Sequence, residues 1–476
     1  MEQSIIDSVE FALKYLGRFS DYSEARLEST ESSGFMMKNG LLEASSQDSY
    51  HGAGFRFLIG KSLGFFSTDN LAKGNIKKLA ERSILATKKA AGNAEDTSFA
   101  DEKPYSAKYK LDEKEKIADF SPDNKISILR DVDSLVKKTA IDRYFSIHDY
   151  VTEKYFINSS GSRIFSRIPR ISFYYNFSVV YNGKSSQRSW MYGAGAGYEV
   201  MKKWNLPETV SRESEALLRN IKAGVRPPKG KVDVVCAPEV VAIMVHESAG
   251  HPYEADRMLG REAAQAGESF ITPSMQGTRI GSDMVNVADD PTIPGSYGYY
   301  KYDDEGVKAG KRLMIKDGMI NEFLQNRQTA AAFGVKSNGA ARAVNYSVEP
   351  IVRMANTYFV PGKSKEEELI EDIKLGVYMK NFMEWNIDDV RLNQKYVGAE
   401  AYLIKNGRIA APVIQPVIET NTPALYASVN GVADNLEFHS GSCGKGEPMQ
   451  AIPVWFGGPS IRLHNIEVFP KNARRI

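Results

Sequence analysis

The sequence predicts an α+β fold: two N-terminal helix–antiparallel sheet–helix units, then a large, mostly antiparallel and barrel-like β domain carrying a metal-binding helix. Three observations predict it. Helical periodicity brackets runs of alternating apolar and polar residues twice before residue 225. Beyond residue 230, strand-like runs punctuated by Gly and Pro dominate. The exception there is a segment apolar on nearly every side, Val240 to Val245, which runs directly into two of the chain's six histidines.

The 476 residues are more than one domain needs. Residues 1–95 form the first expected unit. It opens with a helix over Ser4–Leu16 and continues in strand-like runs with an Asn39-Gly40 hairpin signal. Gly54–Gly60 and Lys61–Ser67 read as a further strand pair, and a helix follows at about Ala72–Lys89. The polar stretch Asn93–Asp123 reads as a linker.

Residues 120–225 repeat this order. A helix at about Asn124–Lys138 precedes several strands. In one of them Ile171, Phe173, Tyr175, Phe177, Val179 and Tyr181 alternate with mostly polar partners, the pattern of a half-buried strand. Asn182-Gly183 marks its hairpin, and a helix at about Tyr198–Ile221 closes the unit. Gly193-Ala194-Gly195-Ala196-Gly197 lacks the GxGxxG spacing of a dinucleotide loop and reads as a tight strand-to-helix turn. Ala223 to Gly230 is the clearest boundary, and the β-rich domain follows over 230–476. Asp317-Gly318 and Asn406-Gly407 are its hairpin signals.

Composition excludes several classes of function. No apolar run approaches the ~20 residues that span a bilayer, and Met1-Glu2-Gln3-Ser4 opens an amphipathic helix without a leader pattern. Basic and acidic residues (61 and 59) are interspersed, which gives no nucleic-acid surface. Two cysteines suit a reducing compartment. A cytoplasmic protein is expected, with no membrane and no nucleic acid among its partners.

The chemistry concentrates in His246-Glu247-Ser248-Ala249-Gly250-His251, an HExxxH. Histidine is the commonest zinc ligand, and a neighbouring carboxylate suits a general base toward a zinc-activated water. The better-known HExxH spacing has one residue fewer. On a regular α-helix, residues five apart point about 140° from each other and cannot share a metal. A π-turn, at about 4.4 residues, brings them within roughly 50°. A bulge or break is therefore expected between His246 and Pro252. Gly250 permits it, and Pro252 has no N–H with which to continue the ladder. Upstream, Val232–Cys236 reads as a buried strand, and Pro238 and Glu239 suit a helix N-terminus.

A hydrolytic zinc site usually has three protein ligands. Cys236, in an apolar strand, reads as a small hydrophobe. Cys443, in a glycine-rich loop two residues before Lys445, is a candidate third ligand, as are Glu254 and His439. Arg342 or Arg353 could stabilise an oxyanion or bind substrate, against the ordinary role of each in a structural ion pair. Asp303-Asp304-Glu305 reads as a solvated turn.

These residues resemble the TldD/PmbA family of metalloproteases, on the TldD side. The HExxxH helix and a cysteine near the C-terminus carry the resemblance. So do Asp303-Asp304-Glu305-Gly306, Arg353-Met354-Ala355-Asn356-Thr357-Tyr358, and Cys443-Gly444-Lys445 before Pro453-Val454. It covers most of the C-terminal half in sequence and the whole chain in element order. The resemblance implies one Zn²⁺ per chain, held by His246, His251 and Cys443, with Glu247 as base. It raises a structural or supporting role for Asp303-Asp304-Glu305 and implies hydrolysis of unfolded or short peptides, bound extended at a sheet edge; Arg342, Arg353 and Asn356 are the candidate substrate-binding residues. The partner implied is a second copy or a metal-free PmbA-like paralogue, since such paralogues lack the metal motif. A non-catalytic, peptide-binding regulatory subunit and a zinc hydrolase of small-molecule amides are the alternatives; the intact histidines and glutamate argue against the first.

Overall fold

In the computed structural model, residues 2–92, 95–262 and 267–471 are described. The N-terminal half is built on strands long enough to cross the molecule: β1 (Tyr22–Lys38), β2 (Leu41–Ile59), β3 (Ser62–Thr68), β4 (Ser106–Lys110), β5 (Ile141–Asn158), β6 (Arg163–Tyr181) and β7 (Lys184–Ala194). They form one sheet in the order β3-β2-β1-β5-β6-β4, with β7 pairing β6. The two helix–sheet–helix units thus share a sheet. Antiparallel pairing of β1 with β5, from Glu24↔Asn158 to Lys38↔Tyr144, joins them. The hairpins Asn39-Gly40 and Asn182-Gly183 turn where expected, with positive φ at all four residues.

Helices α1 (Gln3–Leu16) and α2 (Lys73–Ala90) bury Val9, Leu16, Ile76 and Ile84 against Leu27, Phe55 and Phe57 of the sheet. Helix α3 (Pro122–Val136) starts at Ser121, whose hydroxyl accepts the Asn124 N–H, with Pro122 in the first turn. The helix expected over Tyr198–Ile221 is two: α4 (Val200–Trp204) and α5 (Leu206–Ala223). Asn205, at φ 44°, breaks it, and Pro207 in the first turn of α5 lacks the N–H that would continue it. The expected linker is also partly structured, because Ser106–Lys110 is β4, paired in parallel with β6. Residues 93 and 94 of that stretch lie outside the described residues. The glycine-rich segment 193–197 is a strand-to-helix turn. A Cβ on Gly197 would meet the Glu115 carbonyl at 2.1 Å, so the close approach requires glycine there.

The C-terminal half holds two large sheets and mixes parallel with antiparallel pairs. A nine-stranded sheet runs from the edge strand Phe382–Ile387 through Asn393–Gly398, Pro416–Asn421 and Ile461–Pro470. It continues through β8 (Lys231–Cys236) to Leu375–Met379, Ala401–Lys405 and Arg408–Pro412, and the ninth strand, Val429–Val432, pairs with Ile461–Pro470. A six-stranded sheet ends in Asn356–Phe359, Gln450–Gly458 and the edge strand Glu437–Lys445. The architecture is α+β with a curled half-barrel sheet. Helix α6 (Pro238–Val245) follows β8 and packs on strands Asn356–Phe359, Gln450–Gly458 and Glu437–Lys445. That placement explains why Val240, Val241, Ile243, Met244 and Val245 are apolar around the whole helix: all are buried. No helix among the described residues is long and apolar enough to cross a membrane.

Candidate metal centre

Helix α6 changes pitch where the motif begins. His246–Gly250 is a π-helical turn in which the His251 N–H reaches the His246 carbonyl five residues back, and His251–Tyr253 tightens into a 3₁₀ turn. The distortion expected from the spacing is present. Two contacts seat it. The Ser248 hydroxyl lies 2.5 Å from the Met244 carbonyl and 2.6 Å from the Tyr426 hydroxyl. At Gly250 a Cβ would fall 2.0 Å from Met354 Sδ, so glycine is needed for close packing and not for backbone freedom alone.

The two imidazole rings converge, with centroids 4.9 Å apart. Cys443 comes from the edge strand Glu437–Lys445, and its Sγ lies 3.4 Å from His251 Nε2. One ligand atom from each of His246, His251 and Cys443 lies within 4.8 Å of the others, and all three residues are buried. Tetrahedral zinc, with bonds of ~2.0–2.3 Å, holds its ligand atoms roughly 3.3–3.7 Å apart. The donor set fits that ion, and the 3.4 Å between Cys443 Sγ and His251 Nε2 falls within that range. His246 Nδ1 is buried and has no hydrogen-bond partner among the described residues.

Electrostatics favour a thiolate. Burial alone would push the Cys443 thiol up, but His251, Arg353 and His246 outweigh it and hold it well below its usual value. Lys445, the nearby cation in sequence, acts elsewhere. It lies 2.6 Å from Asp256 and 3.3 Å from Glu254. The other cysteine behaves as expected for a hydrophobe: Cys236 is fully buried, which pushes its thiol up to about 12.

Behind the triad stands a carboxylate. Glu254 Oε2 lies 3.2 Å from His251 Nδ1 and accepts the Arg257 Nε–H at 2.7 Å. Burial would raise the Glu254 carboxyl, yet Lys445, Arg257 and His251 hold it well below the usual carboxylate range. A carboxylate on the far nitrogen of a metal-binding histidine fixes its tautomer and orientation. Glu254 thus sits behind His251 and outside the triad. His439 is also apart: its ring packs 5.1 Å from Trp190, and burial drives its pKa down to about 3.

Glu247 projects beside the triad. Its Oε1 accepts the Trp385 indole N–H at 3.2 Å and its Oε2 an Arg391 N–H at 2.8 Å. The arginine beside Glu247 is Arg391, and not Arg342 or Arg353, the two that the sequence offers. Arg353 has 0 % exposure and donates to the carbonyls of Cys443 and Gln450. Asn356, also fully buried, donates to the Asp290 carbonyl and Ser296 hydroxyl. Arg353 thus ties together the two strands that carry Cys443 and Gln450, and Asn356 ties its own strand to the segment 290–296. Arg342 donates to the carbonyls of Met354 and Pro453 and lines a separate cavity of about 560 Å³ whose walls include none of the triad.

Asp303-Asp304-Glu305 is a correction: it is not a solvated turn. Asp303 Oδ1 accepts the N–H groups of Glu305 and Val307, Asp304 pairs with Lys154 at 3.0 Å, and Glu305 pairs with Arg56 at 2.6 Å. Three consecutive acidic residues look exposed in sequence; here backbone N–H groups of the C-terminal half and, for Asp304 and Glu305, Lys154 and Arg56 of the N-terminal half hold them.

Models of one family match nearly the whole chain. The PmbA/TldA metallopeptidase domain 1 matches residues 23–87, its central domain 115–218 and its C-terminal domain 229–469. A metalloprotease of Methanothermobacter thermautotrophicus is 31% identical over 94% of this chain and 95% of its own. A zinc metalloprotease TldD homologue of Saccharolobus solfataricus is 30% identical over 57% of this chain and 58% of its own. Two solved structures share the fold. One, from Thermotoga maritima, is described as a candidate modulator of a DNA gyrase (TM-score 0.78, 17% identity, 98% of this chain and 99% of that one). The other is TldE of Thermococcus kodakarensis (TM-score 0.76, 16% identity, 97% and 100%). With three consecutive domain models matched and near full-length relatives at this identity, the chain belongs to the PmbA/TldD family of metallopeptidases.

Proposed function

We propose that the protein is a zinc-dependent peptidase that cleaves unfolded or short peptides. One observation carries the reading: two histidines five residues apart converge with Cys443 on a π-turn, and a carboxylate stands directly beside them. His246, His251 and Cys443 would hold one zinc ion. When bound, zinc supplies Lewis acidity that acidifies a water and polarises a carbonyl. Glu247 takes a proton from the attacking water and passes it to the leaving amine. Trp385 and Arg391 each donate one hydrogen bond, to different oxygens of that carboxylate. A carboxylate has about four acceptor sites, so an acceptor remains for the water.

Two sheets present edges here. The strand Glu437–Lys445 carries Cys443, and Phe382–Ile387 carries Trp385. An extended peptide could add to such an edge, which reads backbone more than side chains and gives low sequence selectivity. The partner that the family resemblance implies is a second copy of this chain or a metal-free paralogue.

The test is Glu247→Gln. Zinc content should be unchanged while zinc-dependent hydrolysis of a mixed peptide pool falls at least ~10²-fold, the scale of general-base catalysis. Loss of metal with activity would make Glu247 a ligand; unchanged hydrolysis would end the peptidase reading.

A further inference from the structure

We propose that Arg391 binds the carbonyl oxygen of the scissile peptide bond, donating to it as it gains charge. The inference rests on the peptidase reading and names a residue for the substrate end of that chemistry.

Three observations point to it. First, Arg391 is the arginine that contacts the proposed base, at 2.8 Å, while Arg342 and Arg353 donate to backbone carbonyls. Secondly, its guanidinium is under-used. Of five N–H bonds, one goes to Glu247; the Nε–H is buried with no partner among the described residues. A buried donor without an acceptor is an exception that asks for a ligand. Thirdly, the backbone is held in an uncommon shape to place it. Arg391 has φ 66°, the left-handed region that long side chains rarely adopt.

That shape is fixed from several sides. Asp388 accepts the N–H groups of Leu392 and Asn393, and the Asp388 carbonyl accepts the Arg391 N–H. The Arg391 carbonyl accepts the Thr422 hydroxyl, and Val390 the Phe270 N–H. A turn pinned this way holds the guanidinium still, which is what a preorganised oxyanion donor needs.

The step balances without the guanidinium giving up a proton. Water oxygen bonds to the carbonyl carbon, and the C=O π pair moves onto oxygen, where an Arg391 N–H meets it. Glu247 receives the water's proton and returns it to nitrogen as the C–N bond breaks. An arginine never deprotonates under these conditions, so it acts only as a charged donor. Because the interaction strengthens as charge develops, it lowers the barrier more than it tightens substrate binding.

The experiment compares the zinc-loaded wild type with Arg391→Ala and Arg391→Lys. Zinc content should match the wild type, and each variant is assayed well below its own thermal midpoint, which should fall for Arg391→Ala because Glu247 loses its ion-pair partner. For Arg391→Ala, kcat should fall ~10²–10³-fold with KM within about threefold, the size seen when one oxyanion donor is removed. Affinity for a phosphinic peptide, whose tetrahedral anion mimics the charged oxygen, should fall in parallel. Affinity of a Glu247→Gln/Arg391→Ala protein for intact peptide should equal that of Glu247→Gln alone. Arg391→Lys should recover part of kcat, and millimolar guanidinium should restore part of it in Arg391→Ala. Unchanged kcat and phosphinate affinity, or a loss confined to KM, overturns the assignment. Wild-type protein that shows no zinc-dependent cleavage overturns the peptidase reading itself; an active wild type with an equally active Arg391→Ala overturns only the role of Arg391.

Discussion

Two clusters of buried charge, one bridging the two halves of the chain and one within the C-terminal half, are completed in opposite ways. Arg56, on β2, lies between Glu24 and Glu305 at 2.7 and 2.6 Å. Tyr22 donates to the second oxygen of Glu24, and the Arg327 N–H to the second oxygen of Glu305. Each of the four carboxylate oxygens therefore has a donor. The guanidinium also stacks 4.6 Å from the Phe99 centroid. At the triad, by contrast, His246 Nδ1, Arg353 Nε and Arg391 Nε are buried without hydrogen-bond partners among the described residues, and Glu254 Oε1 has only Arg353 Nε, at 4.0 Å. A closed network needs nothing further and serves the fold. An open one keeps unsatisfied atoms in a low-dielectric setting, which is costly unless a ligand arrives.

The strongest way to break the comparison is Arg56→Met. Removing one partner of a buried ion pair strands the other charge, here two carboxylates facing each other, and costs about 3–5 kcal/mol. Because Glu24 is on β1 and Glu305 in the C-terminal half, the loss should appear as a large drop in the urea midpoint. Protein that still folds should bind zinc normally. A loss below about 1 kcal/mol would show that the cluster carries no such load.

At the open cluster the matching change is Cys443→Ala. Removing an outer partner of a metal ligand costs about 10–100-fold in metal affinity, and removing the ligand itself should exceed that. Zinc affinity is therefore expected to drop more than ~100-fold, about 2.7 kcal/mol, read by competition with a chelator. Cys236→Ala should leave it untouched, since that thiol is fully buried in β8. Equal losses in both variants would place the metal elsewhere.

The two clusters also differ in how far the sequence discloses them. His246, Glu247 and His251 are adjacent in the chain, so spacing and helix geometry alone call for the π-turn. Turns at Asn39-Gly40, Asn182-Gly183, Asp317-Gly318 and Asn406-Gly407 are equally local, because φ > 0 selects those residues. What stayed hidden depends on partners far along the chain. Arg391 meets Glu247 across 144 residues and Glu305 meets Arg56 across 249. No periodicity carries that information, so an acidic triplet read alone looks solvated. The single sheet of the N-terminal half is hidden for the same reason: pairing of β1 with β5, and of β4 with β6, is non-local. Glu254, three residues beyond His251, was the one outer partner that spacing could offer, and it appeared as a rival ligand. Telling a ligand from its support needs the third dimension.

The finest test of the closed cluster is its helix cap. The short helix Arg327–Phe333 begins at Asn326, whose side chain accepts the Thr329 N–H while the Thr329 hydroxyl accepts the Asn326 N–H. This reciprocal pair satisfies donors that a helix start leaves open. It also holds Arg327 where its N–H reaches Glu305 at 2.6 Å and its guanidinium lies 4.5 Å from the Tyr22 centroid. Asn326→Ala removes one acceptor at a buried helix end, which costs about 1 kcal/mol. Asn326→Asp keeps the acceptor but adds a charge near Glu305, so it should recover only part of the loss. Neither change should move zinc affinity or kcat, because the cap belongs to the network that closes on itself. If Asn326→Ala weakened zinc binding as much as it weakened the fold, the two clusters would be coupled and the separation between closed and open networks would not hold.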